Sequence, residues 1–299
     1  MTASLSTSGS LQSMSKIVIA EAIDNVETVA PMAELVTRHD IPKGAYTVKV
    51  PIWGRMTASA MTEGTDIAVA AMIIPTTTIV TLTGTENGIL TFITDRLREQ
   101  NAQGVFQAIG QMHGNAMGRL LDTELVTLLD GFSMTAPGTT VKPTFKHLTG
   151  AVSRIRSTVN TTYGPAPSKP NAVLHPEQIR YMVQEVIGMQ AAGTTMAAQP
   201  VPTGISQDVV KNYWRGNDAI FGIPIYEDGN ITVASNDAKG GIFAKQALAL
   251  AMEKEIKAEE QRDASLRGTE IVTTGIWGSV ELVDPWGVEL FSDVTPVFS

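Results

Sequence analysis

The sequence contains no cysteine, which removes disulfide bridges, thiolate metal centres and cysteine nucleophiles from consideration. Charge is scarce as well. Asp, Glu, Lys and Arg make up 17% of the 299 residues, against about 25% in an average soluble protein. A chain with so few charges must pack unusually well or cover part of its surface against partners, a first hint of oligomerisation. Positive charge is the scarcer sign: 22 Lys and Arg against 30 Asp and Glu leave a net charge of −8. A sequence-specific nucleic-acid binder carries a basic face, and this balance does not suggest one. A wall enclosing DNA could still be acidic, since it need not bind what it contains. No run of about 20 apolar residues occurs, so no transmembrane helix and no membrane partner are expected. The opening MTASLSTSGSLQSMSK lacks a basic stretch ahead of an apolar one. No secretory signal is therefore expected, and the compartment is the cytosol or a particle assembled there.

Chemistry-bearing patterns are missing too. The four histidines are His39, His113, His147 and His175, and no two have the spacing of a metal site. No GxSxG, P-loop or GxGxxG occurs. His175-Pro176-Glu177 reads as a strand-to-helix junction, with Glu177 favourable in the first turn. Aspartates and glutamates are scattered, and nothing selects a pair for acid–base work. No catalytic, cofactor-binding or metal-ligating residue is assigned, and no enzyme is expected.

What is present is a series of apolar patterns. Residues 1–15 read as a polar tail, and the amphipathic stretch from Lys16 to about His39 predicts a short helix ending before Pro31. Together they suggest an arm rather than the start of a compact core. Tyr46, Val48, Val50 and Ile52 alternate with Thr47, Lys49 and Pro51, a strand with one apolar face. Pro51 confines it to a sheet edge or an isolated hairpin. Its return strand is Thr76–Thr83, rich in β-branched residues. The connection, 56–75, is anomalous. Hairpin loops take 2–5 residues, whereas this one has about 20 and carries Met56, Met61, Ile67, Val69, Met72, Ile73 and Ile74. So apolar a loop must be covered, by its own domain or by another subunit. Glu63 and Asp66 flank Gly64 in its otherwise uncharged tip, as a solvated turn or as a charged pin for a neighbouring subunit's Lys or Arg.

A long helix is expected over about 95–130. Val105, Ile109, Met112, Ala116 and Leu120 repeat at helical spacing, with Phe106, Met117 and Leu121 on the adjacent stripe. Gly110, Gly114 and Gly118 line one face, as close packing requires. Further helices are expected at 144–158 and from Pro176 to about Gly188, with a strand at 171–174 between them and a surface loop at 189–205. The C-terminal third is strand-rich. Ala219–Tyr226 reads as a strand, 242–252 is ambiguous between helix and strand, and 256–263, 269–283 and 288–291 suggest one long antiparallel sheet.

This order of elements resembles the major capsid proteins of tailed phages, of the Hong Kong 97 fold type. Ala60-Met-Thr-Glu-Gly-Thr-Asp66 before a Thr-rich strand looks like that family's extended loop. NDAIFGIPIY at 217–226 is similar to its G-x-x-x-G-I-P-V strand, and 244–278 to its C-terminal pattern, with Trp277 in place of the usual Tyr.

The resemblance, over about 16–291, implies an α+β fold with five parts. These are an N-terminal arm (1–44), an extended β-hairpin loop (45–90), a peripheral domain with a long spine helix (91–164), an axial domain (165–255), and peripheral C-terminal strands (256–299). It implies hexamers and pentamers closing into an icosahedral shell around double-stranded DNA, in a virion assembled in the host cytoplasm. A separate scaffolding protein, a portal and a decoration protein are the partners such a shell implies. The expected subunit interface comprises Trp53, Arg55, Met61, Glu63, Asp66, Ile67, Val69, Met72, Ile73 and Ile74. Two other readings stay open: an encapsulin-like nanocompartment shell, and a cytosolic α/β enzyme with an unrecognised site.

Overall fold

The computed structural model of the chain describes residues 31–55, 58, 60–64, 77–100, 102–157, 162–187, 216–220 and 223–295. Two sheets meet around one long helix, and a two-stranded arm forms a separate third sheet whose root packs on the four-stranded one. The chain enters through α1 (Met32–Leu35) and β1 (Thr37–Asp40), then forms the arm from β2 (Thr47–Trp53) and β3 (Thr77–Thr83). After Gly84 the chain continues into β4 (Thr85–Thr94), α2 (Asp95–Gln100) and α3 (Ala102–Thr127), which closes in a 3-10 turn at Leu128–Gly131. At 26 residues, α3 spans about 39 Å.

β5 (Thr135–Gly138), α4 (Phe145–Arg156), β6 (Pro170–Leu174) and α5 (Pro176–Ile187) follow. Thr144 and His147 cap α4 reciprocally. Pro176 opens α5, where the missing N–H of proline removes nothing the helix needs. His175 Nδ1 accepts the Glu177 amide at 3.1 Å, and Gln178 Oε1 accepts the His175 amide at 3.0 Å. The last strands are β7 (Gly216–Ile220), β8 (Ile223–Glu227), β9 (Val233–Ala234), β10 (Asp237–Ala244), β11 (Leu248–Asp263), β12 (Gly268–Glu281) and β13 (Gly287–Asp293).

One sheet has the order β1-β11-β12-β4, and the seven-stranded one β5-β13-β10-β6-β8-β7, with β9 on β10. Period-two alternation gives each strand two environments. In β11, Leu248 and Leu250 enter the main core with Trp277, Phe243, Leu125, Leu129, Met32 and Val36. The residues between and beside them, Ala249 and Ala251, face the root of the arm. On the seven-stranded sheet, α4 and α5 cover a second core of Leu148, Ile155, Ile179, Met182, Ile225, Ile242 and Leu290.

Four expectations are corrected. Residues 32–41 are not outside the core: Met32 and Val36 are fully buried, and β1 pairs in parallel with β11. The helix stripe Met112, Ala116 and Leu120 faces outward, with Met112 67% exposed. The buried stripe is Met117, Leu121 and Leu125, with Gly110, Gly114 and Gly118 buried beside it. The strand at 288–291 leaves the β11–β12 pair and joins the other sheet between β10 and β5, turned there by the 3-10 turn at Asp284–Trp286. The ambiguous 242–252 is two strands around a 3-10 turn, and 219–226 is a hairpin of β7 and β8. The amphipathic stretch 16–30 and the loop 189–205 lie outside the described residues.

Candidate assembly surface

The arm is held at its root by packing. β2 and β3 pair antiparallel from Thr47↔Thr83 to Trp53↔Thr77. On the inner face Leu82, Ile41, Ala249 and Ala251 are buried together, joined by Val48, Val50, Val280 and Leu282. The crossing is tight. A Cβ on Gly278 would lie 2.0 Å from the Thr83 carbonyl oxygen, and one on Gly84 3.0 Å from Ile276. Glycine at 278 therefore lets the arm backbone lie directly on the sheet.

The outer face is different. Its side chains are Thr47, Lys49, Pro51 and Trp53 with Ile79, Thr81 and Thr83, all exposed. Pro51 stands opposite Ile79 in the register. Trp53 is 62% exposed and Ile79 61%. Toward the tip, Met61 is 67% exposed, and Glu63 is exposed before Gly64, whose positive φ makes the turn. Arg55 is drawn away from this face. Its amide donates to Thr162 O at 2.6 Å, and its side chain lies along Gly164. Of the ten interface residues expected, Trp53 and Met61 are each exposed, Glu63 is exposed beside the Gly64 turn, and Arg55 braces the arm against the 162–164 turn. Asp66, Ile67, Val69, Met72, Ile73 and Ile74 lie outside the described residues.

Two apolar surfaces escaped the sequence reading. Leu90 and Phe92 on β4 are exposed on the arm side of the four-stranded sheet, and Met112 and Leu120 on α3. Ile89-Leu90-Thr91-Phe92-Ile93 carries the signal for the first, a period-two run in which both faces are apolar.

Several of the polar groups inside have structural partners. His113 is buried between β4 and β12, with Nε2 2.6 Å from Thr91 Oγ1 and Nδ1 2.8 Å from Thr273 Oγ1. Burial holds its pKa below the usual histidine value, so the ring is neutral and bridges two hydroxyls as one donor and one acceptor. Gln178 Nε2 donates to Leu290 O and Ser292 Oγ, both at 2.8 Å, and to Ala238 O at 3.2 Å, tying α5 to the sheet. Trp277 Nε1 donates to Glu124 Oε2 at 2.7 Å. Burial, then the neighbouring Asp284 charge, push Glu281 up to about 7. Among the described residues no three His, Cys, Asp or Glu side chains gather as a metal site, and no helix is long and apolar enough to cross a membrane.

An isolated β-hairpin arm, a long helix between two sheets and a many-stranded second sheet define the capsid fold of the Hong Kong 97 type, and solved structures share it over most of the chain. The capsid of Ralstonia phage GP4 aligns with a TM-score of 0.66 at 11% identity, covering 89% of this chain and 88% of its own. A structure of Mycobacterium phage Che8 aligns at 0.64 with 17% identity, covering 87% and 90%. A virus-like particle from Pyrococcus furiosus aligns at 0.56 with 10% identity, covering 92% and 98%. At such identities the likeness shows the fold. No family model matches the sequence, and no curated protein does.

Proposed function

We propose that this chain is a major capsid protein, whose copies form hexamers and pentamers and close into an icosahedral shell around phage double-stranded DNA. The observation that carries the reading is the arm: rooted by a buried cluster on its inner face, it displays Trp53 and Ile79 to solvent on its outer face, with Met61 exposed beyond the strands. A monomer gains nothing from a stiff hairpin with an apolar outer surface. A shell subunit gains a strap that buries this surface on its neighbour, with Glu63 and Asp66 setting its register against Lys or Arg there. The role is structural rather than catalytic, the shell is the virion wall assembled in the host cytoplasm, and a scaffolding protein, portal and decoration protein are its expected partners. The five-part division at 1–44, 45–90, 91–164, 165–255 and 256–299 belongs to this reading, with Met32 and Val36 of the first part packed into the core.

The test is negative-stain microscopy of the expressed protein, alone and with its scaffold. Closed shells are expected, and a monodisperse monomer under both conditions refutes the reading. A nanocompartment shell is the second reading, since the Pyrococcus furiosus virus-like particle shares the fold as the phage capsids do. Particles filled with a co-purifying protein in place of DNA would select it.

A further inference from the structure

Two carboxyls are buried side by side where the entering segment, the long helix and the seven-stranded sheet meet. Asp122, on α3, is 0% exposed, and Asp228, just after β8, is 3% exposed. Asp122 Oδ1 accepts the Met32 amide at 3.2 Å, and its Oδ2 accepts Asn230 Nδ2 at 2.7 Å. Asp228 Oδ1 accepts the Asn230 amide at 2.8 Å, while the Asp228 amide donates to Leu174 O at 3.0 Å. Asp228 Oδ2 meets no N–H or hydroxyl donor. Asn230 binds both carboxyls, its amide donating to Asp228 and its side chain to Asp122, and so holds them beside each other. A buried carboxyl oxygen without a donor is relieved when the group takes a proton, which a neighbouring carboxylate can accept in a hydrogen bond.

The surrounding groups supply no counter-charge. Among the described residues neither carboxyl joins an ion pair. Of the charged groups on the same elements, Arg119, Glu34 and Glu227 are exposed, Glu124 is taken by Trp277, and burial lowers the pKa of His175 at the head of α5 against the raising charges of Glu177 and Glu227. A divalent cation is poorly served, since Ca2+ takes about six to eight oxygens and three of the four here already accept N–H bonds.

We propose that Asp122 and Asp228 share one proton and form a latch that fastens the segment entering at Met32 to the long helix and to the turn after β8, tight when the proton is held and loosened when it leaves. Burial, then the hydrogen bond and charge of Asp122, push the Asp228 carboxyl from 3.8 up to about 7, against the opposing Asn230 amide. Between those two values the closed latch holds a proton that an opened one has released. The latch is therefore strongest at the acid end of this window, weakens as pH rises through it, and is level above about 7. The inference rests on these contacts and stands whether or not the chain forms shells.

The experiment is hydrogen exchange over residues 31–36 of the full chain, wild type against Asp228→Asn, from about pH 5 to 8. Comparison at matched pH cancels intrinsic exchange. Wild-type protection is expected to fall relative to the variant by up to about tenfold per pH unit as pH rises to about 7, then to stay level. Identical pH profiles, or wild-type protection that does not change with pH, overturn the latch; the second result decides even if the variant does not fold. Restoration of wild-type protection at about pH 8 by millimolar Ca2+ also overturns it, since the pair would then be a cation site.

Discussion

At the point where the arm crosses the four-stranded sheet, one hydrogen atom decides the geometry. Gly278 has no Cβ, and any Cβ there would overlap the Thr83 carbonyl. Because the obstacle is backbone and not a flexible side-chain end, Gly278→Ala must lift the arm or bend β12. A loss of about 1–3 kcal/mol is expected, the usual cost of overpacking, read as a lower Tm at unchanged far-UV spectrum. Glu281 gives a second residue-scale outcome. Its carboxyl is raised from 4.5 to about 7 by burial and by Asp284, so the folded chain binds a proton that the unfolded chain has lost between these values. That contribution is present at the acid end of the window and lost as pH rises through it. Glu281→Gln should flatten the Tm–pH curve between about 4.5 and 7 and leave the acid limb unchanged. An unaltered slope would show that Glu281 is already ionised in the folded chain.

The arm is where element-scale reasoning applies, because its two faces have different jobs. Trp53→Ser and Ile79→Ser change exposed side chains, so Tm should move by no more than about 0.5 kcal/mol equivalent, while shell yield falls sharply. Equal loss of both would mean that the outer face is internal packing. Deleting 57–74 and joining the strands with a short turn should leave a folded subunit that no longer closes shells, since the root cluster of Leu82, Ile41, Ala249 and Ala251 is untouched. Both strands of the arm were legible in the sequence because their alternation is clean and Pro51 excludes a central position. The long helix was legible as a helix, yet the orientation of its apolar stripe was not. Periodicity locates two adjacent stripes, and packing of Met117, Leu121 and Leu125 into the main core chooses between them.

For the whole molecule, few charges, an apolar arm and apolar patches on β4 and α3 leave much surface that water solvates poorly. Purified chain at micromolar concentration is therefore expected to sediment as capsomers or shells. A single slow boundary across a hundredfold dilution series would contradict this. Glu63→Lys should lower shell yield at low salt more than at high salt if the tip is paired across subunits, because screening weakens an exposed ion pair. Yield unchanged at both salt levels would remove the pin from the account.

The sequence by itself determined the elements: the arm's strands, the three longer helices, the strand-rich end and the absence of any nucleophile or metal pattern. These are local, because periodicity, proline and caps act over a few residues. Only the tertiary structure decided which sheet takes residues 288–291, that Met32 and Val36 belong to the core, and that Asp122 and Asp228 share a site. Those outcomes depend on pairings between segments distant in the chain, such as Met32 with Asp122, 90 residues away. No local pattern encodes such a contact. The arm that stood out as too long and too apolar is thereby explained at its base, where glycine and alanine let it lie on the sheet. Its outer face is exposed, and the proposed shell assigns it to another subunit.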